Sequence, residues 1–321
     1  MSVALVTGIT GQDGSYLVDR LLGDGVEVHG MVRAGDPSTS ALQAAHPEVH
    51  LHEADLADGP ALHGLVRDVA PDHLYNLAGI SSVATSWQEP ALTALLSGVA
   101  VAELLAAALE VQEATGRPVA VVQASSAEIF GEPDRVPQDE ATAVRPTNPY
   151  GAAKAYAHQM SGIYRSRGLA VSSCILFNHE SPRRPPAFVT RKITQAAARI
   201  GRERTGEITL GNLDARRDWG WAPDYVDAMV RAAHHPGGGD FVVATGETHS
   251  VAEFAAAALA RVGIDDWERW VRTDLAFVRP TDTAQLVGDP TRAREVLGWA
   301  PTRSFTEVVH AMVDHDVQLL G

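Results

Sequence analysis

The sequence predicts an α/β fold, a doubly wound parallel sheet with a smaller interleaved α/β domain. Three observations carry that prediction. Short apolar runs rich in β-branched residues alternate with longer helical patterns through the first half of the 321 residues. The first run empties into a glycine-rich turn that opens directly into a helix. After Asn178 the alternation gives way to a Pro/Arg-rich loop and a basic helix.

Each element follows from its own pattern. "VALVTG" (3–8) is a short apolar strand, and "SYLVDRLLGDG" a helix with apolar residues at helical spacing, ended by glycine. "EVHGMVR" is the second strand; "VHLHEADL" is the third, followed by the helical "PALHGLVRDVAP". "HLYNLAG" is the fourth, followed by the Ala/Leu-rich "PALTALLSGVAVAELLAAALEVQEATG". "PVAVVQAS" is the fifth, "YGAAKAYAHQMSGIYRSRG" the helix after it, and "LAVSSCILFN" the sixth. Helices of this length between strands imply right-handed crossovers and a parallel sheet covered on both faces.

Downstream come the loop "HESPRRPPAF", the basic helix "VTRKITQAAARIGRER" and a strand, loop and helix in "EITLGNLDARRDWGWAPDYVDAMV". "DFVVATG" returns to the sheet, and the remainder is helical around "FVRPTDTAQLVGDP". The expected division is 1–177 plus about 222–248 for the larger unit, and 178–221 plus about 249–321 for the smaller.

Composition excludes several classes. A formal net charge of −14 disfavours nucleic acid or an anionic membrane as partner, because counterion release needs a basic surface. It leaves room for a phosphorylated small molecule in a local basic pocket. Cys174 is the one cysteine, so no intrachain disulfide or cysteine metal site is possible; in "VSSCILF" it reads as a buried, inert thiol. The start "MSVALVTG" has no leader pattern, and no stretch reads as the roughly 18 apolar residues of a membrane span, so a cytoplasmic protein is expected. His50 with His52, and His234 with His235, lack the partner spacing of a metal site, and none is expected.

The turn "TGITGQDGSYL" spaces Gly8, Gly11 and Gly14 three apart between strand and helix. Glycines there permit a tight turn and let backbone N–H groups approach a pyrophosphate at the helix N-terminus. Thr10, Gln12 and Asp13 share this turn and are candidate cofactor contacts. At the end of the second strand an acid would bind the ribose hydroxyls of NAD, whereas an arginine suits a 2′-phosphate. "GMVRAGD" places Arg33 there and Asp36 further out, which favours NADP over NAD. Asp55 and Leu56 end the third strand, where they would edge the adenine; Leu77 and Ala78 end the fourth beside the same cofactor.

"NPYGAAKAYAH" carries Tyr150 and Lys154 four apart, on one face of a helix. A cation there is expected to lower the phenol's pKa, letting it take a proton from a sugar hydroxyl as hydride leaves the carbon. Tyr156 has no lysine four residues on and is expected to pack. The fifth strand ends in "QASSAEIFG", with Ser126 and, two residues later, Glu128. A glutamate there is either a loop residue or a base.

Together "TGITGQDGSYL", "SSAEIFG", "PYGAAKAYAH", "LFNHESPRR", "FVTRKI", "LGNLDARRDWG" and "RPTDTAQLVGDPTRAREVLGW" resemble the extended short-chain dehydrogenase/reductase family, a Rossmann-fold family. Within it they are most similar to the GDP-mannose 4,6-dehydratases, and the resemblance runs nearly end to end. It implies a lyase that converts GDP-mannose to GDP-4-keto-6-deoxy-mannose, with NADP reduced and regenerated in one cycle. Tyr150 would take the C4 hydroxyl proton, Ser126 would hydrogen-bond the C4 oxygen, and Glu128 would take the acidified C5 proton before water leaves C6. Lys154, His179 and Arg184 would contact the cofactor. Asn178, Val189, Lys192, Arg217 and Arg279 would hold the nucleotide diphosphate, with Ser86 a further sugar or cofactor contact.

The chain also departs from that pattern. "LAGISSV" (77–83) and Ser86–Trp87 lean toward the GDP-4-keto-6-deoxy-mannose reductases, and Ala127 stands where dehydratases often carry a small hydroxyl or an acid. Without an acid at that position, Glu128 would serve as both base and acid. "AGDPSTSAL" lacks the second arginine and long loop through which family tetramers pair, so a homodimer through 91–115 and 150–167 is expected. A reductase or epimerase on the same fold is the alternative activity. A non-catalytic dinucleotide sensor is the alternative of another class, disfavoured by Ser126, Tyr150 and Lys154 occurring together.

Overall fold

The computed structural model describes residues 2–274 and 285–321. The first half runs β1 (Val3–Thr7), α1 (Gln12–Gly23), β2 (Glu27–Val32), α2 (Thr39–Ala45), β3 (His50–Glu53), α3 (Gly59–Val69) and β4 (His73–Asn76). Then come α4 (Val83–Gln88) and one long helix made of α5 (Pro90–Ala94), a π turn (Leu95–Val99) and α6 (Ala100–Thr115). β5 (Ala120–Ser126), α7 (Pro149–Ser166), β6 (Ala170–Leu176) and a short β7 (Asn178–Glu180) follow. The second half adds α8 (Val189–Glu203), β8 (Ile208–Leu210), β9 (Arg216–Arg217), β10 (Trp219–Trp221), α9 (Ala222–Ala233) and β11 (Gly238–Val243). It closes with β12 (His249–Ser250), α10 (Val251–Arg261), β13 (Val271–Thr273), β14 (Gln285–Leu286), α11 (Thr291–Leu297) and α12 (Phe305–Leu319).

Seven strands form one parallel sheet in the order β11-β6-β5-β4-β1-β2-β3. Chain order reverses between β1 and β4, so a crevice opens at the carboxyl ends of these two neighbours. Both sheet faces are covered. On one, Leu17, Val18 and Leu21 of α1 and Val226 and Met229 of α9 pack on Ala4, Val6 and Tyr75. On the other, Leu62 and Val66 of α3, Leu104 and Leu105 of α6 and Ala157 of α7 pack on Leu5, Leu74 and Val121. Cys174 lies in the first of these cores, and burial pushes its thiol up to about 12, as an inert thiol requires.

The smaller unit has its own core. The aromatic side chains of Trp219 and Phe254 meet edge to face at 5.2 Å, and Ile193, Leu259, Val309 and Met312 close around them. Ala293, Leu297 and Trp299, from the C-terminal stretch, instead pack with α9 under the main sheet, where Trp299 Nε1 donates to the Asp224 carbonyl at 2.7 Å.

One expectation needs correction. The helix Pro90–Thr115 is long and apolar enough to cross a membrane by length and composition, with a mean hydropathy of 2.0. Thr93, Ser97 and Glu103 interrupt the apolar run and hide it in the sequence. Here it is a core helix: more than half of it is buried, with Val101, Leu104, Ala108 and Val111 turned into the protein.

Candidate active site

The crevice floor is a chain of buried amide and hydroxyl groups. Thr7 Oγ1 donates to Asn76 Oδ1 at 2.6 Å, Asn76 Nδ2 to Gln123 Oε1 at 2.7 Å, and Gln123 Nε2 to the Ala124 carbonyl at 2.9 Å. These bonds tie the carboxyl ends of β1 and β4 to the middle of β5, so the loops that follow β1 and β4 start from fixed points.

The glycine turn fits a dinucleotide's pyrophosphate. Gly8 has φ +68°, and a Cβ there would stand 2.8 Å from the Ala78 nitrogen. A Cβ on Gly14 would meet the Gly8 carbonyl oxygen at 2.3 Å. The N-cap of α1 is Gly11, which offers no side chain to the helix's first N–H groups and leaves them to a ligand. Thr10 Oγ1 donates to Asp36 Oδ2 at 2.8 Å, and Arg33 stands exposed after β2. Asp55 is exposed, Leu56 is half-buried after β3, and Leu77 and Ala78 donate their N–H groups to Thr7 Oγ1 at 3.2 Å.

Gln12 and Asp13 do something else as well. Gln12 Nε2 donates to the His179 carbonyl at 3.1 Å, and Ser181 Oγ donates to Gln12 Oε1 at 2.8 Å. His179 Nε2 lies 2.9 Å from Asp13 Oδ2, while its Nδ1 lies 2.7 Å from the Phe177 carbonyl. Both ring nitrogens face acceptors, so both carry hydrogen and the ring is cationic. Burial alone would lower His179, but Asp13 outweighs it and the pKa is raised. Burial likewise opposes ionisation of Asp13, and His179 with Arg184 reverses that, lowering its pKa. The His179 ring stacks on Tyr225 at 4.4 Å, which fixes its plane.

Ser126, Tyr150 and Lys154 are buried together where β5 ends beside α7. Lys154 Nζ donates to the Ala124 carbonyl at 2.8 Å and stands 5.9 Å from the Tyr150 ring centre. The expected lowering of the tyrosine is not seen. Burial pushes Tyr150 up to about 12, opposed by its hydrogen bond with Ser126 and by Arg184, with Glu128 adding to the rise. Lys154, turned to a carbonyl, is itself pushed down to about 8 by burial.

Glu128 sits in the turn after β5, with its N–H donating to Ser126 Oγ at 3.2 Å. Its Oε2 accepts from Asn148 Nδ2 at 2.7 Å. Asn148 is the N-cap of α7, and its Oδ1 accepts from Gly151 N at 2.8 Å. One side chain therefore sets the helix that carries Tyr150 and the carboxylate beside it. Asn148 is absent from the sequence reading, although "NP" at the start of a helix marks an N-cap followed by proline at N1. Ala127 is buried in an apolar cluster with Ile129, Phe130 and Phe177.

Arg184 lies over the Phe188 ring at 3.8 Å and 3.3 Å from Glu180 Oε2. Asn178 starts β7, paired with Trp219 of β10. Val189 opens α8 and is exposed, while Lys192 Nζ, one turn on, donates to the Thr209 carbonyl at 2.6 Å. Arg217 is buried, with its guanidinium on the Arg216 carbonyl at 2.8 Å. Ser86 is buried within α4, its hydroxyl donating to the Val83 carbonyl at 2.7 Å. Tyr156, expected to pack, is 46% exposed on an outer face of α7. Arg279 lies outside the described residues.

A sequence model of the GDP-mannose 4,6 dehydratase family matches residues 5–312. The chain belongs to that family. The GDP-mannose 4,6 dehydratase 2 of Arabidopsis thaliana is 42% identical over 327 residues, covering 99% of this chain and 87% of the relative. The GDP-mannose 4,6 dehydratase of Homo sapiens is 40% identical over 347 residues, covering 99% and 92%. Among solved structures, the UDP-glucose 4-epimerase of Thermus thermophilus in complex with NAD superposes with a TM-score of 0.83 at 27% identity, covering 98% of each chain.

Proposed function

We propose that this family member dehydrates GDP-mannose to GDP-4-keto-6-deoxy-mannose with NADP as its cofactor. The observation that carries the reading is the Glu128 carboxylate, held by Asn148 beside the Ser126–Tyr150–Lys154 trio. A sugar reductase needs the trio; a dehydratase needs a separate base for C5 as well. The human and plant relatives' printed names carry the same activity, and the family match covers nearly the whole chain.

Gly8, Gly11 and Gly14 would cradle the cofactor's pyrophosphate, and Arg33 its 2′-phosphate. Bound NADP supplies a hydride acceptor at C4 and a hydride donor at C6. Tyr150 takes the C4 hydroxyl proton while Ser126 steadies that oxygen. At about 12 the phenol is seldom ionised near neutral pH, so its hydrogen bond with Ser126 and the Arg184 charge are what favour phenolate. The ketone formed at C4 acidifies C5–H, which Glu128 removes. With an alanine at 127 and so no acid there, Glu128 also returns that proton to the departing C6 hydroxyl as water leaves. Asn148 holds the carboxylate through both steps.

Asn178, Val189, Lys192 and Arg217 would bound the nucleotide diphosphate, where cations match its charge. A homodimer is the second part of the proposal: Leu92, Val99, Tyr156 and Ile163 are 41–52% exposed on the helices around α5 and α7, an apolar surface suited to a second copy. Incubation with GDP-mannose in deuterated water without added reductant tests the reaction. Loss of one water with one deuterium gained and no net cofactor change supports it. Unchanged GDP-mannose, with turnover of the 4-keto sugar by NADPH, would make the protein a reductase.

A further inference from the structure

At the opposite end of the sheet from the crevice, strand register gathers imidazoles that lie apart in sequence. Residues two apart on a strand share a face, so Glu27 and His29 on β2 lie together, as do His50 and His52 on β3. The parallel register sets His29 against His50 and Met31 against His52. The ligand atoms of Glu27, His29 and His50 consequently lie within 4.8 Å of one another. His29 Nε2 is 3.1 Å and His50 Nε2 3.8 Å from Glu27 Oε1. The other nitrogen of His29, Nδ1, is 2.9 Å from His52 Nε2, and the two rings stack at 5.2 Å.

We propose that Glu27, His29 and His50 bind one divalent first-row transition-metal ion, with His52 as the positioning residue behind His29. Two imidazoles and a carboxylate suit zinc or nickel; magnesium and calcium prefer oxygen ligands. Donors on one tetrahedral zinc ion lie about 3.4 Å apart, so the widest pair must close by somewhat more than an ångström. His50 has room to do this, its side chain being 58% exposed. With Nε2 of His29 on the metal, Nδ1–H donates to His52, the second hydrogen bond that fixes a ligating histidine's tautomer and orientation. Solvent reaches Glu27 and His50, which gives the ion a path in.

The site joins the edge strand β3 to β2, its one partner in the sheet among the described residues. Its role is a staple for that edge, remote from the reacting groups, and a bound ion raises the stability of the folded chain by mass action. Sequence spacing groups only His50 with His52, which together lack the pattern of a metal site. The partners come from β2, more than twenty residues earlier, and only the register reveals them.

Titration of the tag-free, chelator-treated protein with zinc chloride by calorimetry, with thermal melts alongside, tests this. The expected result is one ion per chain and an upward melting shift that saturates at one equivalent. His29→Gln and His50→Gln should each weaken binding at least tenfold, while His63→Gln, between Glu103 and Glu110 on a different surface, should leave it unchanged. No saturable binding, or equal affinity in the wild type and His50→Gln, would overturn the site. If His29→Gln fails to fold, the exposed His50 decides alone.

Discussion

Asn148 Nδ2 donates to Glu128 Oε2 at 2.7 Å while the same side chain's oxygen caps α7 through Gly151 N at 2.8 Å. The helix bearing Tyr150 and Lys154 and the carboxylate assigned to C5 are thus positioned by one amide. Separating its two duties is straightforward. Asn148→Ala removes both and should cost about 1 kcal/mol of stability, the usual loss at an N-cap. Asn148→Asp keeps the cap but sets a second carboxylate against Glu128, so the pair shares a proton and titrates as a unit. Melting should stay near wild type while turnover falls tenfold or more at neutral pH. Equal turnover in Asn148→Asp would deny Asn148 any part in holding the base.

Tyr150→Phe keeps the ring's packing and removes the hydroxyl. Cofactor affinity should change little, and oxidation at C4 should fall by about 10²–10⁴, the usual share of a positioned acid or base. Cofactor reduction in a single turnover reads this directly.

The Asp13–His179 pair should make stability depend on pH in two directions. His179 is raised from an ordinary 6.5, so its contribution is complete below about 6.5 and is lost as pH rises through its folded-state value. Asp13 is lowered from 3.8, so its contribution is complete above that value and is lost as pH falls through the lower folded-state one. The pair therefore contributes most between these limits. Asp13→Asn strands a buried imidazolium and should cost about 3 kcal/mol near pH 6. The stability difference between wild type and an Asp13→Asn, His179→Gln double variant should shrink above pH 7; a difference that grows there contradicts the cationic His179.

Much of this site is readable from local pattern. Strand, glycine turn and helix at 3–23 mark a phosphate loop, and Tyr150 with Lys154 share a helix face by spacing alone. What spacing cannot carry is anything made by contacts between distant segments. His179 reaches Asp13 across 166 positions, and Glu27 meets His50 through the β2–β3 register. The tyrosine's pKa went against expectation for the same reason. Sequence places Lys154 near Tyr150, but only the fold shows the ammonium spent on the Ala124 carbonyl and the phenol buried.

The proposed preference for NADP rests on Arg33. Arg33→Ala should weaken NADP by about tenfold to a hundredfold, the worth of a charged hydrogen bond, and leave NAD unchanged. Equal losses for both cofactors would mean that Arg33 contacts something they share.

Gly14→Ala tests the cradle. Its Cβ would lie 2.3 Å from the Gly8 carbonyl oxygen, a backbone atom that cannot move aside without opening the turn. The variant should lose about 1–3 kcal/mol of stability, as overpacking does, and its cofactor affinity with it. Unchanged cofactor binding would show that the turn has slack the structure does not suggest.

The central claim is that Glu128 moves the C5 proton. Glu128→Gln keeps an oxygen for Asn148 and cannot act as a base, so its most direct test is deuterium incorporation at C5 from heavy water, read by mass spectrometry with GDP-mannose as substrate. The account predicts that Glu128→Gln binds cofactor as the wild type does and loses C5 exchange by about 10²–10⁴. Exchange at close to the wild-type rate would contradict it and assign the proton to another group.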